Sequence, residues 1–398
     1  MKEVLRKDDL KRLEEGLDRT DVAKIITGVR RCGKSTLMLQ FIRRLKDLGV
    51  DDSRIFYLNL EDEKAEDIMN HKDLSGAIRS SVSHDERVYV FLDEVQRVDG
   101  WERTVNALMV SYDADVYITG SNAFLLSSEL STFISGRYIE IDILPLSFKE
   151  YLEVHGIDEY RDVNTRFEDY LKKGSMPMID PDSDERFRRD HLIGICNTVL
   201  TKDIAARNSM IDVSTAYRIL KFLFSNVGNV TSGRSIANEL HINHATVSKY
   251  LRSIEEAYLF YRVNRFDIVG KKHMNTKEKY YAVDTGLRNA YLGPSKGDDL
   301  GRLLENAVYL ELRRRGYSVS VGIYRDLEID FTADKGDRRE YYQVSLTIMS
   351  DETYDREIRP LGSIGDSHPK TVLTLDRVKR QPQNGIVHTN VIDWLLSD

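Results

Sequence analysis

Short runs of β-branched and aromatic residues alternate with helix-period segments through the first 150 residues. The predicted strands are Ala23–Thr27, Ile55–Asn59, Val88–Leu92, Val116–Thr119 and Tyr138–Ile143. Between them, segments such as Ser35–Leu48 and Trp101–Tyr112 carry apolar residues three and four apart, which is the spacing of an amphipathic helix. Strands that alternate with helices are typical of an α/β fold built on a parallel sheet.

The pattern changes three times further along the chain. It is helical from Ser147 to about Arg207, with an interruption at Gly174–Pro177, where glycine and proline punctuate the helices. A new compact unit begins near Asp212, and another pattern follows Gly293. We therefore predict four segments, which are 1–145, 146–210, 211–293 and 294–398.

The segment after the first strand fits a phosphate-binding loop. It reads G-x-x-x-x-G-K-S, follows an apolar strand and opens a helix, which is the context that this motif requires. Backbone N–H groups and the helix N-terminus would bind phosphate, Lys34 would neutralise the β- and γ-phosphates, and Ser35 would ligate Mg²⁺. The predicted ATP-binding residues are Gly28, Val29, Arg30, Arg31, Cys32, Gly33, Lys34, Ser35 and Thr36.

An apolar strand about sixty residues later ends in two acids, Asp93 and Glu94. Such a strand is buried in a parallel sheet, and its carboxyl end lies at the edge where open α/β sheets bind ligands. We expect Asp93 to hold Mg²⁺ through water and Glu94 to polarise the attacking water as a general base. Together with the loop, the two acids indicate a nucleotide-hydrolysing site.

Two further residues have a functional and a structural interpretation. Asn122 follows the strand at 116–119; it either holds the attacking water or caps the next helix. Arg137 precedes the last strand; it acts as an arginine finger, on its own or a neighbouring subunit's γ-phosphate, or is a surface residue.

These motifs resemble those of a known group. The phosphate loop, Phe91–Gln96, Ile118–Asn122, Gly136–Arg137 and Leu144–Leu152 are similar to the prokaryotic AAA-type ATPases of the archaeal-ATPase superfamily. The resemblance covers roughly the first 200 residues. It implies an ATPase with a five-stranded parallel core sheet and a small helical lid after Leu144. We also expect self-association to a ring-like homo-oligomer.

Residues 231–256 have the pattern of a helix-turn-helix. The first helix is about Ser235–Leu240, the turn is His241–Asn243, and the second helix runs from His244 into Glu256. The predicted DNA-contacting residues of the second helix are His244, Thr246, Ser248, Lys249 and Arg252, which are of the types that a recognition helix offers to phosphates and bases.

Two extended runs follow, Tyr258–Asp267 and Lys279–Val283, joined by Lys271–Lys277. This resembles the wing of a winged helix. Winged helices also dock proteins or form dimers, so both kinds of partner stay open.

The distribution of charge supports nucleic acid as the partner. The chain has 58 basic and 65 acidic residues, a net charge of −7, yet residues 211–290 carry a net charge of +5. A basic module in an acidic chain is the expected footprint of a DNA-binding region.

The remaining composition excludes other classes of protein. No apolar run reaches the roughly 18 residues of a membrane span, and the N-terminus lacks the apolar core of a signal peptide. Cys32 and Cys196 are too few for a disulfide framework. We expect a soluble, cytoplasmic protein with no membrane partner.

The last segment resembles the uncharacterised C-terminal domain, with a restriction-nuclease-like α/β fold, that often follows these ATPases. Glu305, Glu328 and Asp330 fit the nuclease pattern of carboxylates that gather Mg²⁺ against phosphate. Where the pattern requires lysine, however, the chain reads Gln343-x-Ser345. Gln343 can still coordinate a metal weakly through its carbonyl oxygen, but Ser345 supplies no cation. We therefore expect a structural relic or a nucleic-acid-holding domain and not an active nuclease, and Glu305 is equally interpretable as a solvated helix residue.

The leading hypothesis is an Mg-dependent AAA-type ATPase that binds DNA, assembles as an oligomer and couples hydrolysis to conformational change. The alternative is a nucleotide-controlled signalling switch that docks a protein partner through the winged helix.

Overall fold

A computed structural model describes residues 3–82, 86–121, 136–157, 162–206, 211–293, 299–380 and 385–397. The chain divides into two compact units. The first comprises the residues up to Ile143 together with residues 256–258, and we call it the N-terminal unit. The rest of the chain from Leu144 onward is the C-terminal unit.

The N-terminal unit contains a parallel sheet. Its strands are β1 (Ala23–Thr27), β2 (Ile55–Asn59), β3 (Val88–Asp93), β4 (Ala114–Thr119) and β5 (Tyr138–Asp142). Its helices are α1 (Lys7–Glu15), α2 (Lys34–Asp47), α3 (His71–Ser81) and α4 (Trp101–Ser111). The strand order is β2-β3-β4-β1-β5, with every pair parallel. The five-stranded parallel sheet that the resemblance implied is therefore confirmed.

The central strands are apolar because both faces of the sheet are covered. Every residue of β1, β3 and β4 is buried, as expected for a parallel sheet between helices. Val90 and Val116 belong to the same buried cluster as Ile78 of α3 and Val105 of α4. The sheet is thus a fixed platform, and its carboxyl edge holds the residues that follow β1, β3 and β4.

The C-terminal unit begins with helices. They are α5 (Phe148–His155), α6 (Val163–Lys173), α7 (Glu185–Thr198), α8 (Val213–Ser225), α9 (Gly233–Leu240), α10 (His244–Glu256) and α11 (Thr285–Leu292). A π-helical stretch, Val199–Ala205, continues α7. The first helix of the predicted helix-turn-helix begins two residues earlier than expected, because Ser232 caps the N-terminus of α9.

The same unit contains a seven-stranded mixed sheet with further helices. Its strands are β6 (Phe260–Asp267), β7 (Lys272–Ala282), β8 (Ser318–Tyr324), β9 (Leu327–Lys335), β10 (Arg338–Val344), β11 (Lys370–Thr374) and β12 (Ile386–Asn390). The helices are α12 (Asp299–Arg314), α13 (Asp351–Ser363) and α14 (Val391–Leu396). The strand order is β12-β11-β10-β9-β8-β6-β7.

This sheet changes two expectations. Residues 272–277 are not a connecting loop, because β7 begins at Lys272 and pairs with β6 along most of its length. In addition, β6, which precedes the predicted boundary at 293/294, pairs with β8, which follows it. Segments on both sides of that boundary therefore belong to one sheet. The hairpin that resembled a free wing is therefore one edge of the C-terminal sheet.

Candidate functional site

The loop between β1 and α2 lies tightly against the sheet. Gly28 has a φ of 136°, and a Cβ there would lie 2.3 Å from the carbonyl oxygen of Ile143. Gly33, at the N-cap of α2, has a φ of 107°. Both backbone angles lie in the region that favours glycine. The two glycines of the predicted motif are thus required by the backbone geometry.

Lys34 places its cation inside this loop. Its Nζ donates to the carbonyl oxygens of Gly28, at 3.0 Å, and Val29, at 3.1 Å, and its side chain is buried. Gly33 has no side chain with which to cap the first turn of α2. The ammonium and the N–H groups of the first turn together form a positive site for an anion.

A residue outside the motif also holds the loop. Arg6 is buried, its Nη2 donates to the carbonyl oxygen of Cys32 at 2.7 Å, and its backbone N–H donates to Oε1 of Gln40 on α2. Burial raises the pKa of the Cys32 thiol, which makes the thiolate scarce and fits a spacer better than a redox group. No local sequence signal marks Arg6, because its partner lies 26 residues away.

The two arginines of the loop have different environments. Arg30 contacts Glu61 at 3.2 Å, and Glu61 also contacts Arg97 at 3.4 Å. Burial acts to raise the pKa of Glu61, but the two guanidiniums outweigh it and lower that pKa. Arg31 is exposed, with a φ of 71°. Arg30 thus has an acidic partner in this structure.

Asp93 is fully buried at the carboxyl end of β3. Its Oδ1 accepts a hydrogen bond from Thr119 Oγ1 of β4, and its Oδ2 accepts one from Tyr57 of β2 at 3.3 Å. Burial and the neighbouring Asp93 carboxylate raise the pKa of Tyr57 to about 12, so the phenol remains a donor. The strands on either side of β3 therefore fix the orientation of the carboxylate.

Glu94 follows in a left-handed conformation, with φ 56° and ψ 47°. Non-glycine residues rarely adopt this region, which costs about 1–3 kcal/mol and is often found at functional sites. Thr119 Oγ1 accepts the backbone N–H of Glu94 at 2.9 Å. One threonine therefore holds both acids, a contact between distant strands that the sequence did not reveal.

The side chain of Glu94 has one further partner that was not predicted. Gln96 Nε2 donates to Glu94 Oε2 at 2.5 Å and lies 3.5 Å from the hydroxyl of Ser121. Ser121 is fully buried just after β4. Glu94 and the segment just after β4 are thus linked through one amide.

Asn122 lies outside the described residues. Arg137 lies at the amino end of β5, where its carbonyl accepts the N–H of Ala23 at the start of β1. Its guanidinium donates to Asn106 of α4 at 2.7 Å. The phosphate loop follows the opposite end of β1, so Arg137 and the loop of its own subunit lie at opposite ends of these two strands. The arginine finger and the surface residue both stay open.

The donors and acceptors at this edge fit a nucleotide with a divalent cation. The loop supplies backbone N–H groups and Lys34, and Asp93 supplies a fixed carboxylate of the kind that Mg²⁺ uses beside phosphate oxygens. Within the described ranges, Gln96 Oε1 is buried and accepts no hydrogen bond. A buried acceptor without a donor marks a place that a polar molecule can fill.

Helix α10 exposes most of the residues predicted to contact DNA. His244, Ser248 and Arg252 are exposed, and Thr246 and Lys249 are half-buried. The opposite stripe of the helix, which includes Val247 and Ile254, is buried as predicted. The arrangement leaves a polar face available to a partner without identifying that partner.

The predicted nuclease-like carboxylates do meet, but around a lysine. Lys279 Nζ of β7 lies 2.9 Å from Glu305, 3.0 Å from Glu328 and 3.9 Å from Asp330. Burial alone would lower the pKa of Lys279, but the carboxylates outweigh it and raise that pKa. The pKa of Asp330 is also raised, by burial and by Glu305.

Ser345 stands where the nuclease pattern has a lysine. Here the positive charge beside the carboxylates comes instead from Lys279 on a different strand, β7. The amide of Gln343 has protein partners in this structure. Its Oε1 accepts from the N–H of Asp330 at 3.4 Å, and its Nε2 donates to Glu357 at 2.9 Å, so the carbonyl oxygen is not directed at a metal. Within the part of the chain that the structure describes, no group of three or more His, Cys, Asp or Glu side chains is arranged to hold a metal ion.

Comparison with known proteins gives two family matches. Residues 20–152 match a family described as "AAA domain", and residues 164–298 match "Domain of unknown function (DUF8612)". The first match contains the phosphate loop and both acids. The second spans parts of the helical segment, the helix-turn-helix and the β6–β7 hairpin, and its description names no function.

Two relatives align over most of the chain. An uncharacterized protein of Haemophilus influenzae is 39% identical over 401 residues, covering 99% of this chain and 98% of that protein. Uncharacterized protein MJ1544 of Methanocaldococcus jannaschii is 30% identical over 354 residues, covering 84% and 77% respectively.

Solved structures show a weaker likeness. The ORC1 protein of Aeropyrum pernix in complex with DNA is 14% identical with a TM-score of 0.31, covering 73% of this chain and 92% of that one. AMPPCP-bound DnaA from Aquifex aeolicus is 19% identical with a TM-score of 0.28, covering 64% and 90%. Similarity at this level concerns the fold alone.

Among the described residues, none of the helices combines the length and apolar character needed to cross a membrane.

Replacing Lys279 with methionine leaves buried carboxylates without their cation. We expect the variant to lose about 3–5 kcal/mol of unfolding free energy near neutral pH. Lys279 partly offsets the burial that raises the pKa of Asp330, so removing it raises that pKa further, and the folded variant takes up protons at a higher pH than the folded wild type does. The loss should therefore shrink at about pH 5. Urea unfolding at the two pH values measures both effects.

Lys272→Met is the matched control, because Lys272 is an exposed lysine of the same strand. It should change the free energy of unfolding by less than about 0.5 kcal/mol. Equal losses in the two variants, or a Lys279→Met loss that does not depend on pH, would contradict this account of the cluster.

Proposed function

The chain belongs to a family of proteins represented in Haemophilus influenzae and Methanocaldococcus jannaschii and carries an AAA domain; from this premise we propose that it binds ATP with Mg²⁺ and hydrolyses the nucleotide. The observation that carries the proposal is the carboxyl edge of the parallel sheet. There β1 leads into the loop that precedes Lys34, and β3 ends in Asp93, which Glu94 follows directly.

Each residue has a distinct part in this proposal. The N–H groups of the loop from Gly28 to Thr36 bind phosphate oxygens, and the ammonium of Lys34 leaves the carbonyls of Gly28 and Val29 to join them. Ser35 and Asp93 would hold Mg²⁺, which supplies charge neutralisation on the phosphates. Asp93 meets this task with its orientation already fixed by Thr119 and Tyr57.

Glu94 favours hydrolysis over simple binding. It is the general base that takes a proton from the attacking water, and Thr119 fixes its backbone. A preorganised base typically contributes on the order of 10²–10⁴ to the rate. Asn122, whose place is just beyond Ser121 in the sequence, is proposed to hold that water.

Arg137 is proposed to act on the nucleotide of a neighbouring subunit. Its place at the amino end of β5 supports this, because the loop of the same subunit follows the other end of the adjacent strand. An arginine finger in trans requires self-association, so we propose a ring-like homo-oligomer.

The partner proposed for α10 is DNA. The net charge of +5 over residues 211–290 and the exposed face of α10 support it. A protein partner of a nucleotide-controlled switch is the alternative, and the DNA experiment below distinguishes the two.

Two substitutions test the ATPase. Lys34→Ala should abolish ATP binding, and Glu94→Gln should bind ATP normally but hydrolyse it at least about 100-fold more slowly, because only the base is lost. Equilibrium binding of a fluorescent ATP analogue and phosphate release are the measurements. Glu66→Gln, at an exposed acid of the same unit, should behave like wild type. Normal hydrolysis by Glu94→Gln would show that another group is the base.

Mixing variants tests the arginine finger. Arg137→Ala keeps an intact loop, and Lys34→Ala keeps an intact finger. Each protein alone should be inactive, whereas an equimolar mixture should recover turnover at the interfaces that combine both intact parts. A mixture as inactive as its components, or full activity of Arg137→Ala alone, would refute the trans assignment.

DNA binding is tested by fluorescence anisotropy with a labelled duplex. We expect affinity to fall steeply between about 50 and 200 mM salt, and Lys249→Ala and Arg252→Ala each to lower the salt slope by about one. Arg186→Ala, at an exposed arginine of α7, is the control and should bind normally. Absence of both binding and stimulated ATP turnover would favour the protein-docking alternative.

A further inference from the structure

Gln96 occupies a short turn directly after the two acids. The turn Val95–Arg97 is a 3-10 helix that starts from the left-handed Glu94. Val95 and Val98 are buried on either side of Gln96, and the N–H of Val98 bonds to the carbonyl of Val95 at 3.2 Å. Packing and hydrogen bonds therefore fix the backbone from which Gln96 extends.

The amide of Gln96 can face Glu94 in only one orientation. A carboxylate accepts hydrogen bonds and donates none when ionised, so Nε2 must point towards Glu94 Oε2. The same Nε2 lies 3.5 Å from Ser121 Oγ, which places the amide between the base and the residue just after β4. Oε1 consequently faces away from Glu94.

This arrangement leaves one polar atom unused. Gln96 Oε1 is buried and has no hydrogen-bond donor among the described residues. A buried acceptor without a donor costs roughly 1–3 kcal/mol. The atom is two bonds from the nitrogen that holds the base and faces away from Glu94, so the amide acts on the base through Nε2 alone.

We propose that Gln96 is a positioning residue for the hydrolysis: its Nε2 holds the Glu94 carboxylate in the orientation of a general base. The inference rests on the proposed ATPase function. In the reaction, the oxygen of the attacking water bonds to the γ-phosphorus, the bond between that phosphorus and the β–γ bridging oxygen breaks, and ADP leaves. The proton of the water goes to Glu94, and Gln96 neither gains nor loses a proton.

The inference predicts a specific kinetic signature. Gln96→Ala should lower kcat by about 10- to 100-fold, part of the contribution that a general base makes. KM and the Kd for ATP should change less than about twofold, because among the described residues the hydrogen bonds of Gln96 go to Glu94 and Ser121 and not to the phosphate loop. Steady-state phosphate release and binding of a fluorescent ATP analogue give the three constants.

A variant of similar size separates the hydrogen bond from packing. Gln96→Met keeps the approximate length of the side chain but has no N–H donor for Glu94, so it should lose as much kcat as Gln96→Ala. Thermal unfolding of both variants should match that of the wild type to within a few degrees. Wild-type kcat in Gln96→Met would overturn the proposal.

A double-mutant cycle tests whether Gln96 acts through Glu94. In single-turnover hydrolysis, Gln96→Ala should slow the reaction in wild-type protein but have little further effect in the Glu94→Gln background. Equal fold losses in the two backgrounds would overturn the proposal. Absence of hydrolysis in the wild type would instead refute the ATPase function, so the two failures are distinguishable.

Discussion

The site depends on one buried carboxylate. Asp93 is wholly removed from solvent, and a buried charge is costly unless hydrogen bonds or a cation compensate it. Thr119 and Tyr57, from the strands on either side, provide the hydrogen bonds. The buried carboxylate therefore needs donors on the strands beside β3. One of these donors, Thr119, also accepts the backbone N–H of Glu94 and so holds that backbone. Gln96 then extends the same network to Ser121.

The sequence predicted the parts of the site that are encoded locally. The spacing of the glycines predicted the phosphate loop. The apolar runs predicted the strands, because a strand buried on both faces of a parallel sheet is apolar along its whole length. Asp93 and Glu94 were found since they follow such a run. Gln96 lies within the same stretch, but nothing in its position reveals which acid it contacts.

Contacts between distant segments could not be read from the chain. Arg6 reaches the loop across 26 residues, and Lys279 meets Glu305 across 26 residues. For Arg137 the sequence left the reach to its own or a neighbouring subunit open, and only the parallel pairing of β5 with β1 shows which end of the strands it occupies. The pairing of β6 with β8 likewise joined segments that the pattern had separated.

The cluster at Lys279 shows how a familiar set of carboxylates can carry different chemistry. Its lysine comes from β7 instead of from the strand position at Ser345, and it neutralises the acids directly. The pattern of residue types pointed to Glu305, Glu328 and Asp330, but it did not indicate the lysine between them, which only the fold reveals. Total charge is similarly uninformative on its own, because the net charge of −7 for the whole chain includes a segment, residues 211–290, with a net charge of +5.

A structure of the protein with Mg²⁺ and a non-hydrolysable ATP analogue tests the central claim most directly. The account predicts that Lys34 Nζ leaves the carbonyl oxygens of Gly28 and Val29 and contacts the phosphates, with Asp93 and Glu94 beside the terminal phosphate. A nucleotide bound elsewhere, or a Lys34 that stays on those carbonyls while the nucleotide is bound, would contradict it.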